Sequence, residues 1–319
     1  MIVSKNLRWK YIFFYAWKSM LYFLCLSIAV YFLHHKFSFI DKLSVPFEAV
    51  ATLSTALAIF LAFNNNSAYD RWWEARKIWG KLVNYSRAWG REVLTLSMDQ
   101  EGRPNEELAS WQRAMIYRHM AFVHGLRVFL RQRHPYNGIE QELMEAPNDY
   151  QQIKGFLPPE EFDEVMSKRN PPNYLLMLQG RDLQHAYDRG WISDYRLVRL
   201  DETLIEFNNH QGMCERIKNT PFPRPYSYFG RMFVFIHGTL VPFAFVEELG
   251  VWNIPLSLAI NFVFLSLEQI GARTEDPFEN RPGDTPLSAI SLTIEENLKE
   301  MLGDTNLPTK LAPVGGVVL

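Results

Sequence analysis

One stretch of the chain, residues 45–79, joins an apolar half directly to a charged and aromatic half. Residues 45–63 are apolar or small and carry a single acid, Glu48, so this half has the length and composition of a membrane-spanning helix. At Asn64 the sequence turns polar, and residues 71–79 then mix charged side chains with tryptophan. The pattern predicts one element that leaves the membrane and continues into water.

Composition narrows the classes of protein that fit the chain. The formal net charge is −2 over 319 residues, which predicts no nucleic-acid partner. The two cysteines, Cys25 and Cys214, lie far apart in very different segments, so we expect free thiols and no cysteine-based metal site. No phosphate-binding loop, dinucleotide fingerprint, nucleophile elbow or zinc-protease motif occurs, and we expect neither an enzyme nor a bound cofactor.

Three further apolar runs have membrane length, and they set the division of the chain. They cover residues 11–33, 226–246 and 251–270. The first is too long for a secretory signal and no small-residue cleavage pattern follows it, so we expect it to be retained. The sequence thus predicts four parts: residues 1–63 with the first two spans, a helical region at 64–225, two more spans at 226–270, and a loop, helix and tail at 271–319.

The charges between the spans predict the orientation in the membrane. Lys and Arg are numerous near the N-terminus and in the central region, whereas the link at residues 247–250 has none. The positive-inside rule therefore predicts that both hairpin tips lie outside and that both termini and the central region lie in the cytoplasm. We expect an all-α protein of the inner cell membrane with four transmembrane helices and a large cytosolic helical bundle. Amphipathic spacing predicts one more helix at about residues 287–302.

Within the second span, Thr55, Ile59 and Phe63 recur every four residues and form one stripe that ends at the polar boundary. In a symmetric oligomer this stripe would form stacked rings around an axis, and an apolar ring can gate a pore by dewetting. Outside an oligomer the same stripe would only be packing. His237 lies in the third span, where a hydrogen bond to a neighbouring helix is the usual role of a histidine, and we assign it no other.

Three acids cluster just after the fourth span, at Glu275, Asp276 and Glu279. Hard oxygen ligands in one loop suit a weak cation site. A solvated, capping loop fits the same residues equally well, and the residues alone leave both interpretations open.

Three segments together resemble the bacterial branch of the bestrophin family, in order and across nearly the whole chain. They are SAYDRWWEARKIWG at 67–80, CERIKNTPFPRPYSYF at 214–229 and EDPFENRPGDTPLSAISLTIEENLKEM at 275–301. The resemblance implies a homo-oligomeric, pentameric ion channel in which the second helix of each subunit lines a central pore and the bundle forms a cytosolic vestibule. The family's narrow neck then corresponds to Thr55, Ile59 and Phe63, and its second, cytosolic constriction to Tyr195.

The resemblance also guides the functional hypothesis. It implies passive conduction of small monovalent ions, with a sodium-type cation preference slightly favoured because bacterial relatives are similar to monovalent cation channels. A chloride or other anion-selective channel of the same architecture is the alternative, and a membrane-anchored receptor or scaffold without conduction is a further one. Animal members bind calcium through a longer acidic run. Here Pro277 interrupts the run after Glu275 and Asp276, so calcium dependence is not expected.

Overall fold

Every regular element in the described part of the chain is helical. The computed structural model describes residues 9–36, 45–99, 105–132, 149–313 and 316–317, with side chains from residue 16 onward. The α-helices are α1 (Trp9–Lys36), α2 (Phe47–Leu96), α3 (Glu106–Arg131), α4 (Pro159–Met166), α5 (Pro171–Asp188), α6 (Asp194–Asn219), α7 (Arg224–Leu249), α8 (Asn253–Thr274) and α9 (Leu287–Met301), with short 3-10 helices at Tyr150–Phe156 and Gly250–Trp252. The all-α prediction is confirmed. Two segments rich in Gly and Pro, 101–104 and 134–138, predict loops from sequence, and they lie outside the described residues, as do most of the linker after α1 and the extreme termini.

Helix α2 continues without interruption through the change from apolar to polar sequence. It is 50 residues long, from Phe47 to Leu96, and no glycine or proline occurs in it before Gly80. The three asparagines at 64–66 are weak helix formers, but they remove no backbone hydrogen bond and so do not end the helix. The prediction that one element carries both halves is confirmed.

The chain divides into two compact units, and the first comprises residues 4–72 and 221–276. In its described part α1, the first half of α2, α7 and α8 pack around Leu57, Leu61, Val234 and Leu265. Helices α1 and α7 approach closely at Gly238, where a Cβ would lie 2.5 Å from Cε1 of Phe23. The described chain has three helical stretches long and apolar enough to cross a membrane, at 16–36, 47–96 and 224–274. The last contains both α7 and α8, joined at Gly250 with a φ of 53°.

The second unit comprises residues 73–220 and 277–319, apart from the first few residues of the chain. The second half of α2, α3, α5, α6 and α9 enclose an apolar core that includes Trp89 and Phe207, whose rings meet edge to face at 5.9 Å. Buried Arg118 on α3 donates to Glu161 at 2.6 Å and to Asp182 at 2.7 Å, which ties α3 to α4 and α5. A buried guanidinium with two carboxylate partners keeps its charge compensated away from water.

Prolines at 221, 223 and 225 mark the break between α6 and α7. Helix α6 ends at Asn219, and α7 begins at Arg224 with a proline in its first turn. Proline lacks the amide needed inside a helix but is tolerated at its start, so a new helix begins here. The sequence-based limits at 63, 225 and 270 follow hydropathy and stay predictions of where the membrane begins and ends. Helix α9 at Leu287–Met301 confirms the helix predicted in the tail.

Candidate functional site

The predicted stripe on α2 lies on the outward face of that helix. Ile59 is 54% exposed and Phe63 is 71% exposed, and Thr55 is exposed as well. Leu57 and Leu61, on the opposite face of the same turns, are buried against the rest of the unit. The hydroxyl of Thr55 donates to the carbonyl of Ala51 at 3.0 Å, so its polar group is satisfied within the helix. Helix α2 thus presents a row of side chains that the unit itself does not cover.

Two polar contacts hold α2 in the rotation that turns this row outward. Ser54, next to Thr55, lies 2.6 Å from Nε2 of His237 on α7. Because the Ser54 hydroxyl donates to the carbonyl of Val50 at 2.7 Å, the ring N–H of His237 donates to Ser54 Oγ. The expected role of His237, a hydrogen bond to a neighbouring helix, is confirmed.

The second contact lies where the apolar half of α2 ends. Asn65 Nδ2 donates to the carbonyl of Leu267 on α8 at 3.0 Å. Gly271, one turn further along α8, leaves room for this side chain, because a Cβ there would lie 2.2 Å from Asn65 Oδ1. Only glycine permits so close an approach. Sequence patterning alone did not single out Asn65 or Gly271, since their pairing depends on how the two helices cross.

Beyond Phe63 the outward face of α2 becomes polar. Asn66 and Asp70 are exposed, whereas Ala68 is buried. Arg71 turns instead toward the loop after α8, where its guanidinium lies 3.8 Å from the carboxylate of Asp276. After the stripe, Asp70 therefore faces outward, whereas Arg71 faces inward and pairs with Asp276.

Tyr195, the predicted cytosolic constriction, stands in the first turn of α6 and is 91% exposed. Just before this helix, Trp191 and Ile192 are buried in the core of the second unit. The carbonyl of Trp191 accepts a hydrogen bond from the amide of Met98 at 2.9 Å. An exposed aromatic ring is thus presented by a firmly anchored segment.

Each of the three acids in the predicted cation site has a protein partner. Ser227 Oγ donates to Glu275 at 2.7 Å, and burial raises the pKa of this carboxyl above its usual range. Asp276 faces Arg71, and buried Glu279 accepts from Lys218 Nζ at 2.6 Å. Among the described residues no group of three or more His, Cys, Asp or Glu side chains is placed to hold a metal ion. Cys25 and Cys214 are both free thiols, as predicted.

The second unit holds a buried titratable cluster that the sequence analysis missed. His124 Nε2 lies 2.9 Å from Glu295 on α9, and burial lowers the pKa of this histidine. Lys299 donates to the same carboxylate at 2.7 Å. In the loop before α9, burial raises the pKa of another carboxyl, that of Asp284, to about 7. The acidic residues of α9 were visible in the sequence, but nothing in their spacing indicated that α3 would bury them.

The fold and the outward row together define a helical membrane protein in which one long helix carries a row of exposed side chains along its apolar half. The chain belongs to the bestrophin family, since the family model described as bacterial and fungal bestrophin protein matches residues 11–300. This confirms the resemblance seen in the three sequence segments.

Individual relatives agree along most of their length. The chain is 30% identical to a voltage-dependent anion channel-forming protein of Ralstonia nicotianae, covering 98% of both chains. It is 33% identical to the voltage-dependent anion channel-forming protein YneE of Escherichia coli K12, over 82% of this chain and 78% of that one. Among solved structures, the bacterial bestrophin homologue from Klebsiella pneumoniae matches 89% of this chain and 97% of its own, with a TM-score of 0.77 and 28% identity.

Proposed function

We propose that the protein is a passive channel for small monovalent ions, built from several copies around a central axis, with anions favoured. The observation that carries the proposal is the exposed row of Thr55, Ile59 and Phe63 on α2. Hydrogen bonds of Ser54 with α7 and of Asn65 with α8 hold this row on the outward face of the helix. Around an axis the row becomes three stacked rings, and apolar rings of this kind gate by dewetting.

The preference for anions rests on the relatives. The resemblance to bacterial bestrophins slightly favoured cations, whereas the relatives from Ralstonia nicotianae and Escherichia coli are named anion channel-forming proteins. These names support the anion alternative better, and we adopt it here. The row itself carries no formal charge, so its rings do not sort ions by sign, and the sign preference must come from charges elsewhere along the path.

The remaining parts of the proposal follow the family. Five copies are expected to form the channel, and Tyr195 is the candidate for a second constriction on the cytosolic side, since its ring is almost fully exposed on an anchored turn. Both termini are proposed to lie in the cytoplasm, with the chain in the inner membrane. No calcium requirement is proposed, because Glu275, Asp276 and Glu279 each engage a side chain of the protein.

Reconstitution tests conduction and selectivity together. Purified protein in planar bilayers under a tenfold gradient of sodium chloride should give currents whose reversal potential lies toward the equilibrium potential of chloride. A reversal potential toward that of sodium would support the cation alternative. Well-assembled protein that carries no current in bilayers and gives no ion flux in liposomes would favour the receptor or scaffold alternative and contradict the channel.

A further inference from the structure

Asp70 lies on the same face of α2 as the proposed neck. It follows Phe63 by seven residues, which is about 20° short of two full turns, so its direction falls between those of Ile59 and Phe63. Seven residues correspond to a rise of about 10 Å along the helix. Any axis that the neck side chains face is therefore faced by Asp70 as well, two turns further along.

Asp70 has no charged partner among the residues that the structure describes. The side chain is exposed, and within the described residues it forms no ion pair or hydrogen bond. The adjacent Arg71 does not pair with Asp70, because its side chain is largely buried and pairs with Asp276. Helix α2 thus turns its arginine inward to an acid and its aspartate outward to water.

We propose that Asp70 is a specificity-determining residue of the channel, whose carboxylates form a ring beyond the neck that attracts cations and repels anions. The inference rests on the proposed function and deepens it. Rings of Asp or Glu near a narrow, low-dielectric passage raise the local concentration of cations and lower that of anions. The ring acts against the anion preference of the channel, so the wild type discriminates between chloride and sodium less than the same channel without the Asp70 carboxylates would.

The test is a set of charge variants measured by reversal potential under asymmetric sodium chloride. Asp70→Asn should raise the chloride-to-sodium permeability ratio about threefold or more, and Asp70→Lys should raise it further. Asp70→Glu keeps the charge and should leave the ratio at the wild-type value. Glu247→Gln is the matched control, since it removes one exposed carboxylate per subunit from the last turn of α7, which lies near the start of α2 and far along that helix from Asp70.

Salt provides a readout that a merely structural role of Asp70 would not move. The Debye length falls from about 10 Å at 0.1 M to about 3 Å at 1 M, so the difference between wild type and Asp70→Asn should shrink at high salt. Conducting Asp70→Asn and Asp70→Lys channels with the wild-type permeability ratio would overturn the inference and leave the channel itself in place. Assembled wild-type protein without any current would overturn both.

Discussion

His237 on α7 donates its ring N–H to the hydroxyl of Ser54 on α2 across 2.6 Å, and the imidazole is completely buried. Ser54 immediately precedes Thr55, the first residue of the exposed row on α2. The ring of Phe264 on α8 packs against the imidazole at 4.6 Å between centroids. One histidine therefore joins three helices directly behind the proposed neck, and it helps to decide which face of α2 points outward.

Removing the acceptor of this bond should destabilise the apolar unit. Ser54→Ala leaves the ring N–H of His237 buried without a partner, which costs about 1–3 kcal/mol. Thermal unfolding of the protein in detergent should show a clearly lower midpoint. Thr52→Ala is the control, because the exposed Thr52 hydroxyl bonds only to the carbonyl of Glu48 in its own helix. Equal midpoints for the two variants would contradict the assigned role of the Ser54–His237 bond.

Shortening the central side chain of the row should widen the neck. Ile59→Ala removes three carbons from an exposed position, so it should cost little stability while lowering the dewetting barrier in the pore. Single-channel conductance or open probability in planar bilayers should rise. Ile236→Ala, an equal truncation of an exposed residue on α7, should leave both unchanged. Assembled Ile59→Ala channels with wild-type currents would exclude this row as the neck.

Adding one methyl group at the crossing of α2 and α8 should be harmful. Gly271→Ala puts a Cβ 2.2 Å from Asn65 Oδ1, and relieving the clash means moving α8 or breaking the Asn65–Leu267 bond, at about 1–3 kcal/mol. Gly180→Ala in α5 meets no atom within 4 Å and should be neutral or stabilising by about 0.5–1 kcal/mol. Thermal midpoints of both variants test the contrast, and a Gly271→Ala protein as stable as Gly180→Ala would refute it.

The stability of the second unit should depend on pH through Asp284. Burial raises the pKa of this carboxyl from an ordinary value of 3.8 to about 7 in the folded protein. Between these values the folded state binds the proton and the unfolded state does not, so the stabilisation is complete below about pH 4 and is lost as the pH rises to about 7. Relative to Asp284→Asn, the wild type should lose at most about 4 kcal/mol over this range.

The comparison with Asp284→Asn isolates this one group. His119, whose pKa burial lowers to about 3, titrates in both proteins, and its contribution cancels in the difference. Thermal unfolding at pH 5, 6, 7 and 8 measures that difference. The exposed control Asp163→Asn should follow the wild type at every pH. A constant difference between wild type and Asp284→Asn would show that the carboxyl titrates with an ordinary pKa.

Calcium chelation should leave channel activity unchanged. The acids that follow α8 are engaged by Ser227, Arg71 and Lys218, so a divalent ion would have to displace these contacts. Open probability in bilayers should be the same with calcium and with a chelator. The variant Glu275→Gln, which removes one of the three carboxylates from this loop, serves as the comparison. A reversible loss of current on chelation would show that the acids bind a functional ion after all.

Much of the fold follows from patterns local in sequence. The apolar runs predict α1, the first half of α2, α7 and α8, because a membrane-length apolar helix satisfies its own backbone and needs no knowledge of its neighbours. The break between Asn219 and Arg224 follows from prolines, whose effect on a helix is equally local. The spacing of Thr55, Ile59 and Phe63 likewise predicts one row on one helix face, since 3.6 residues complete a turn.

Other features depend on which helix faces meet. Gly271 could be recognised as a close approach only once Asn65 lay against it, and the buried state of Asp284 only once the loop before α9 had been enclosed. Asp70 and Arg71 are neighbours of opposite charge, and the sequence does not indicate which of them would find a partner.

The sequence alone places the membrane-length helices and the helix in the tail, and it shows that one face of α2 carries a regular row. That this face points outward is a result of tertiary packing, because the rotation of α2 is set by contacts between residues more than 180 positions apart, such as Ser54 with His237. Helical periodicity is a property of the local backbone. The direction in which a helix faces is a property of its packing, and packing joins residues that the sequence keeps apart.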